Sequence, residues 1–79
     1  MYAIYVLKSL KDGNFYYGQT ANLEKRLEDH NLGRVKSTKS RKPFNLVYYE
    51  TVNTIGEARK REKYFKSGYG RKFIKNRLK

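Results

Sequence analysis

The chain has 79 residues, enough for one small domain (1–79) but too few to enclose a large cavity, so any active site is expected to be an open groove. Nineteen Lys and Arg against seven Asp and Glu give a net charge of +12, which points to a polyanionic partner, first of all nucleic acid. The absence of cysteine and the single histidine exclude disulfides, thiolate zinc sites and multi-histidine metal centres; no stretch reaches the ~20 apolar residues of a membrane span and the N-terminus carries no signal-peptide pattern, so a cytoplasmic setting without a membrane partner is expected.

Residues 2–7 are apolar on both alternating faces, which predicts a strand buried on both sides at the sheet centre. Lys11-Asp12-Gly13-Asn14 predicts a hairpin with a two-residue Asp-Gly turn, and residues 15–20 the partner strand. That turn would pair Tyr5 with Thr20 and Leu7 with Gly18, placing Tyr5 and Tyr16 on one face but four positions apart, about 13 Å along the strand. A helix is expected from Asn22 as N-cap to Gly33 as stop, with Leu23, Leu27 and Asn31 on one face. Residues 34–43 form a basic loop, and residues 44–52 a third strand whose alternation is imperfect. Thr54 and Glu57 make a capping box for a helix running to about Ser67, with Gly68 as its terminator; a last helix covers about 70–78. The order is strand, strand, helix, strand, helix, helix, with neither repeats nor a domain boundary.

Within this frame Glu62 stands out. On an ideal helix Ile55, Ala58, Glu62 and Phe65 fall within an arc of roughly 80°, which sets a carboxylate in the middle of the core-facing stripe. An unpartnered buried carboxylate is costly, so Glu62 is either salt-bridged to a nearby cation or a metal ligand or acid–base group. Arg26 and His30 are four apart on one helix and so share a side. A guanidinium suits phosphate and an imidazole suits proton transfer, although a solvated arginine and a helix-end histidine would look the same. Tyr5, Tyr16 and Asn76, at the edge of the last helix's apolar face, are individually weak signals. Arg34, Lys36, Lys39, Arg41 and Lys42 in the basic loop, with Arg71, Lys72, Lys75, Arg77 and Lys79 near the C-terminus, would hold phosphates by charge alone.

Taken in order, Ala3-Ile4-Tyr5, Tyr16-Tyr17-Gly18, Arg26 with His30, Glu62 and Asn76 resemble the GIY-YIG nuclease superfamily over essentially the whole chain. Among its members the chain looks most like small standalone bacterial proteins akin to the N-terminal nuclease domain of the excision-repair protein UvrC. Ala3 stands where the family has glycine and Tyr17 where it has isoleucine; Gln19 and Thr20 stand where some members carry a lysine. The resemblance implies an α+β fold, a small three-stranded antiparallel sheet flanked by three helices. It also implies metal-dependent hydrolysis of phosphodiester bonds in DNA, linked to repair or recombination. In that mapping Glu62 holds one Mg2+ or Mn2+ and Tyr5 leads as general base. Tyr16 and His30 orient or activate the water, Arg26 stabilises the charged transition state, and Asn76 completes the catalytic set. The expected partner is nucleic acid, DNA ahead of RNA, with a protein partner as one route to targeting. The competing expectation is a nucleic-acid-binding module that does not cut.

Overall fold

The computed structural model describes residues 1–78. Strands β1 (Tyr2–Ser9), β2 (Phe15–Thr20) and β3 (Phe44–Val52) form one antiparallel sheet in the order β2-β1-β3. Helix α1 (Leu23–Asn31) follows β2, and α2 (Ile55–Lys66) and α3 (Gly68–Arg77) follow β3, giving the α+β order read from the sequence. The unbroken apolar run of β1 is explained by its central place: Ala3 through Leu7 are all buried.

The two faces of β1 feed two cores. Ile4 and Val6 point to one side, where Ala58 and Phe65 of α2 and Ile74 of α3 close over them. Tyr5 and Leu7 point to the other, against Phe44, Leu46, Tyr16 and the α1 residues Leu23 and Leu27. A register shift in β3 opposite Val6 and Leu7 explains the imperfect alternation of that strand: Val47 and the next residue, Tyr48, both pack on the first core.

The hairpin differs from the two-residue turn expected. The last ladder pair is Lys8 with Phe15, and the Ser9 N–H donates to the Asn14 carbonyl at 2.9 Å, so Leu10 to Gly13 form a four-residue loop. Ser9 is the cause. Its buried hydroxyl accepts from the amides of Lys11 (3.1 Å) and Asp12 (3.2 Å) and donates to the Arg41 carbonyl (2.6 Å), holding the loop open. The Asp12 carboxylate accepts the Asn14 N–H at 2.8 Å, and Gly13 takes φ +73°. Every pairing slips by two residues, which keeps the faces and halves the offset. Tyr5 now pairs with Gly18, and Leu7 with Tyr16.

The helix ends follow their caps. The Asn22 side chain accepts from Lys25 N–H, and Gly33 follows the end of α1 at φ +76°. Thr54 accepts from Glu57 N–H at 3.1 Å. Gly68 does not terminate α2, as expected from sequence; it opens α3. Ser67 makes both ends instead, donating its hydroxyl to the Tyr64 carbonyl and accepting from Gly70 N–H at 3.4 Å. One hydroxyl that donates one way and accepts the other leaves no linker between the helices.

Candidate active site

The second core contains polar groups. Tyr5 and His30 are both fully buried or nearly so, and the Tyr5 hydroxyl lies 3.0 Å from His30 Nε2. Tyr16, diagonal to Tyr5 across the β1–β2 ladder, brings its ring centroid within 6.4 Å of Tyr5 and 5.0 Å of His30. The corrected register therefore closes the gap that the sequence alone left between the tyrosines. Phe44 walls the other side of the imidazole at 5.9 Å.

His30 is fixed from behind by Thr38, a buried residue of the basic loop. Its Oγ1 lies 2.7 Å from His30 Nδ1, and its hydroxyl reaches the Val35 carbonyl at 3.4 Å. When the hydroxyl donates to Val35, its oxygen accepts from Nδ1–H, and in that tautomer the Nε2 lone pair faces the Tyr5 hydroxyl. Burial, aided by the positive charge of Arg26, pushes the His30 pKa down to about 4, so the ring is neutral at pH 7. Burial raises the Tyr5 pKa, the Arg26 side chain beside it pulls it back, and the charges of Tyr16 and Glu62 push it further up.

The depressed pKa has a stability consequence. A histidine near 6.5 when unfolded and near 4 when folded binds more protons in the unfolded state between those values. Its contribution is complete above pH 6.5 and is lost as pH falls towards 4, by about 3 kcal/mol in all. Urea unfolding between pH 7 and 4 is expected to show this slope in the parent and to lose most of it in His30→Gln.

Gly18 is the least replaceable residue around Tyr5. A Cβ built on it would stand 2.5 Å from the Tyr5 hydroxyl oxygen and 2.6 Å from Cζ. The hydroxyl end of the ring lies over the bare glycine, and it cannot swing aside without leaving His30. Gly18→Ala is expected to destabilise the protein by about 1–3 kcal/mol and to separate Tyr5 from His30. Thermal unfolding and nuclear Overhauser contacts between the two rings check both parts.

Glu62 is not in the middle of the buried stripe. Ala58 and Phe65 are fully buried, whereas the Glu62 side chain is 26% exposed and pairs with Lys66 at 3.0 Å; Ile55 is exposed. A line along the helix from position 58 to 65 passes between 61 and 62, so both flank the core. Arg61 takes the other flank, over the Tyr64 and Phe65 rings, and binds Glu50 through two bonds of 2.7 and 3.0 Å. Its guanidinium holds the Glu50 carboxyl below the ordinary range. The Glu62 charge is the smallest of the influences on Tyr5, and among the described residues its one side-chain partner is Lys66. A single carboxylate could hold at most a hard divalent ion that keeps most of its water, and here it would first have to leave Lys66. Among the described residues no three acidic, histidine or cysteine side chains cluster to form a protein-built cage.

The remaining sequence candidates divide. Asn76 is exposed on α3 and makes no side-chain hydrogen bond among the described residues, so the fold does not tie it to the tyrosine–histidine cluster. Arg41 is a tie rather than a free cation: it pairs with Asp12 at 2.8 Å and lies over Phe44. Arg34 pairs with Asp29 at 3.2 Å and Glu28 at 3.8 Å. Lys36, Lys39, Lys42, Arg71, Lys72 and Lys75 are exposed, and none is in an ion pair among the described residues. Arg77 lies over Tyr48, and Lys79 falls outside the described residues. Thr38 and Gly18 as supports of the centre escape sequence reasoning. A threonine in a basic loop carries no signal of its own, and Gly18 looks like simple packing.

A tyrosine pair crossed by a buried histidine, on a three-stranded antiparallel sheet flanked by three helices, is the arrangement expected of a GIY-YIG domain. Residues 1–77 match the GIY-YIG catalytic domain, and the chain belongs to that family, typically one of nucleases acting on nucleic acid. It is 44% identical over 73 residues to a UPF0213 protein of Staphylococcus saprophyticus, covering 91% of this chain and 88% of that one. It is 43% identical over 65 residues to a UPF0213 protein of Syntrophus aciditrophicus, covering 80% and 74%. The solution NMR structure of a UPF0213 protein from Bacillus halodurans superimposes with a TM-score of 0.57 at 30% identity, covering 96% of this chain and 84% of that one. Among the described residues no helix is long and apolar enough to cross a membrane.

Proposed function

We propose that the protein is a metal-dependent endonuclease that hydrolyses phosphodiester bonds in DNA, with Tyr5 and His30 as its proton-transfer pair. The 3.0 Å contact between the Tyr5 hydroxyl and His30 Nε2 carries this reading. A purely structural tyrosine has no need of a second titratable group that is itself hydrogen-bonded from behind.

With its pKa raised and that of His30 near 4, Tyr5 does not rest as a phenolate. It works in concert, passing its own proton to Nε2 as it takes one from the attacking water, and so never bears a full charge. Arg26 links substrate to base. A phosphate on its guanidinium offsets the positive charge that depresses His30, and the imidazole becomes a better acceptor once DNA is in place. Tyr16, packed on both rings, orients the water. Glu62 would hold Mg2+ or Mn2+, which when bound neutralises charge developing on the phosphate oxygens. Asn76 with Lys36, Lys39 and Lys42 of the basic loop positions the strand beyond the centre, and the reading includes a role in DNA repair or recombination, with a partner protein as one route to targeting.

The test is cleavage of duplex, single-stranded, flapped and branched DNA with Mg2+ or Mn2+, against EDTA. Cutting that needs the metal and disappears in Glu62→Ala is the expected result. The Glu62–Lys66 ion pair favours a second reading, a module that binds without cutting. Tight binding with no product under every condition would establish that one instead.

A further inference from the structure

We infer that the groove between the hairpin end of β2 and α3 is a binding site for single-stranded nucleic acid, holding one unstacked base against Tyr17 and Phe15 and its flanking phosphates on Arg71 and Lys75. The inference rests on the nucleic-acid reading above and adds to it a second contact surface with its own ligand preference.

Asn14, Phe15, Tyr17, Arg71 and Lys75 line this groove, whose volume is about 370 Å³. That is within the roughly 300–1,000 Å³ of sites that take small ligands. Tyr16 and Tyr17 are consecutive on a strand, so their side chains leave β2 on opposite faces. The groove therefore lies across the sheet from Tyr5 and His30, and the mechanism makes no use of it. The Phe15 and Tyr17 rings stand 6.4 Å apart, tilted by 60°, and both are half-buried, which gives them fixed orientations with accessible surface. Arg71 and Lys75 are four apart on α3, so they project to the same side. Both are exposed, neither is in an ion pair among the described residues, and the Arg71 charge reaches Tyr17. Aromatic rings interleaved with cations suit a single strand, whose bases are free to stack on protein; duplex bases are already stacked. Tyr17 is also one of the two departures from the family tripeptides, an aromatic ring where isoleucine would serve as core alone.

The experiment is fluorescence anisotropy in EDTA with labelled oligothymidine and with a duplex of equal length. Single-strand binding is expected to weaken about fivefold or more in Tyr17→Ile, with duplex binding unchanged. In the double variant Arg71→Gln, Lys75→Gln the slope of log K against log salt is expected to fall by about 1.4 on the single strand, about 0.7 for each phosphate released. An NMR titration of the parent supplies an arm independent of variant folding: shifts should centre on Tyr17, Arg71 and Lys75. Equal single-strand affinity of parent and Tyr17→Ile, or shifts confined to the Tyr5 and Arg26 face, would overturn the groove while leaving the nuclease reading intact. Failure of every DNA form to bind would overturn both.

Discussion

Tyr5→Phe is expected to slow DNA cleavage by about 10²–10⁴-fold, the usual range for losing a positioned proton-transfer group. The substitution removes one oxygen and keeps the ring that packs over Gly18. Its structural cost is the His30 Nε2 left without its partner, about 1–3 kcal/mol for a buried polar atom. Stability and rate can therefore be separated. Circular dichroism should show a folded protein with a modestly lower melting point, while single-turnover rates fall far more than any unfolded fraction explains. Tyr16→Phe should cost less, because the Tyr16 hydroxyl is not the one on His30. Parent-like cutting by Tyr5→Phe would move the base to another group. The pH dependence adds a check: kcat/KM, which reports the free protein, holds from pH 7 down through 6 and falls only as neutral His30 protonates towards 4.

Gly70→Ala is expected to give the largest loss of stability, about 3 kcal/mol or more. A Cβ on Gly70 would collide with the Tyr64 carbonyl oxygen and the Phe65 Cα, main-chain atoms of α2 that cannot rotate out of the way. The collision can be relieved only by parting α2 from α3, which opens the core around Phe65 and Ile74. A chain of 79 residues has a net stability of only about 4–12 kcal/mol. At roughly 4–8 °C per kcal/mol for a domain of this size, the melting temperature should fall by about 12 °C or more. Gly56→Ala is the control, since only the Thr54 hydroxyl, at 3.9 Å, comes near a Cβ built there. An unchanged melting temperature for Gly70→Ala would show that the two helices are not packed as described.

Much of this architecture was written in local signals. The apolar run of β1, the Asn22 and Thr54 caps, and the basic stretch after Gly33 each depend on neighbours a few residues away. What was not legible depends on contacts made across the fold. The hairpin loop is four residues long because Ser9 is bonded to Arg41, 32 residues on. Gly68 looked like a stop because glycine so often is one, whereas Ser67 sets both helix ends through its own hydroxyl. Glu62 falls on the apolar arc of an ideal helix, but the 58–65 line passes between 61 and 62, and what each flank meets is set by residues distant in sequence: Arg61 meets Glu50 on β3. The tyrosine centre was legible as a set of residue types in order. Its third layer, Thr38 behind His30, was not, because nothing in a basic loop announces a residue that folds inward.

Tyr5 and His30 are moored by different routes to one strand. Tyr5 sits on the middle strand, held by ladders on both sides, so it stays in place until the whole sheet comes apart. His30 sits at the end of a short helix and leans on Thr38. The segment that carries Thr38 is in turn fastened to the end of β1, through the Ser9 hydroxyl on the Arg41 carbonyl. Tyrosine and histidine thus hang from the same strand, one directly and one through a threonine and a serine.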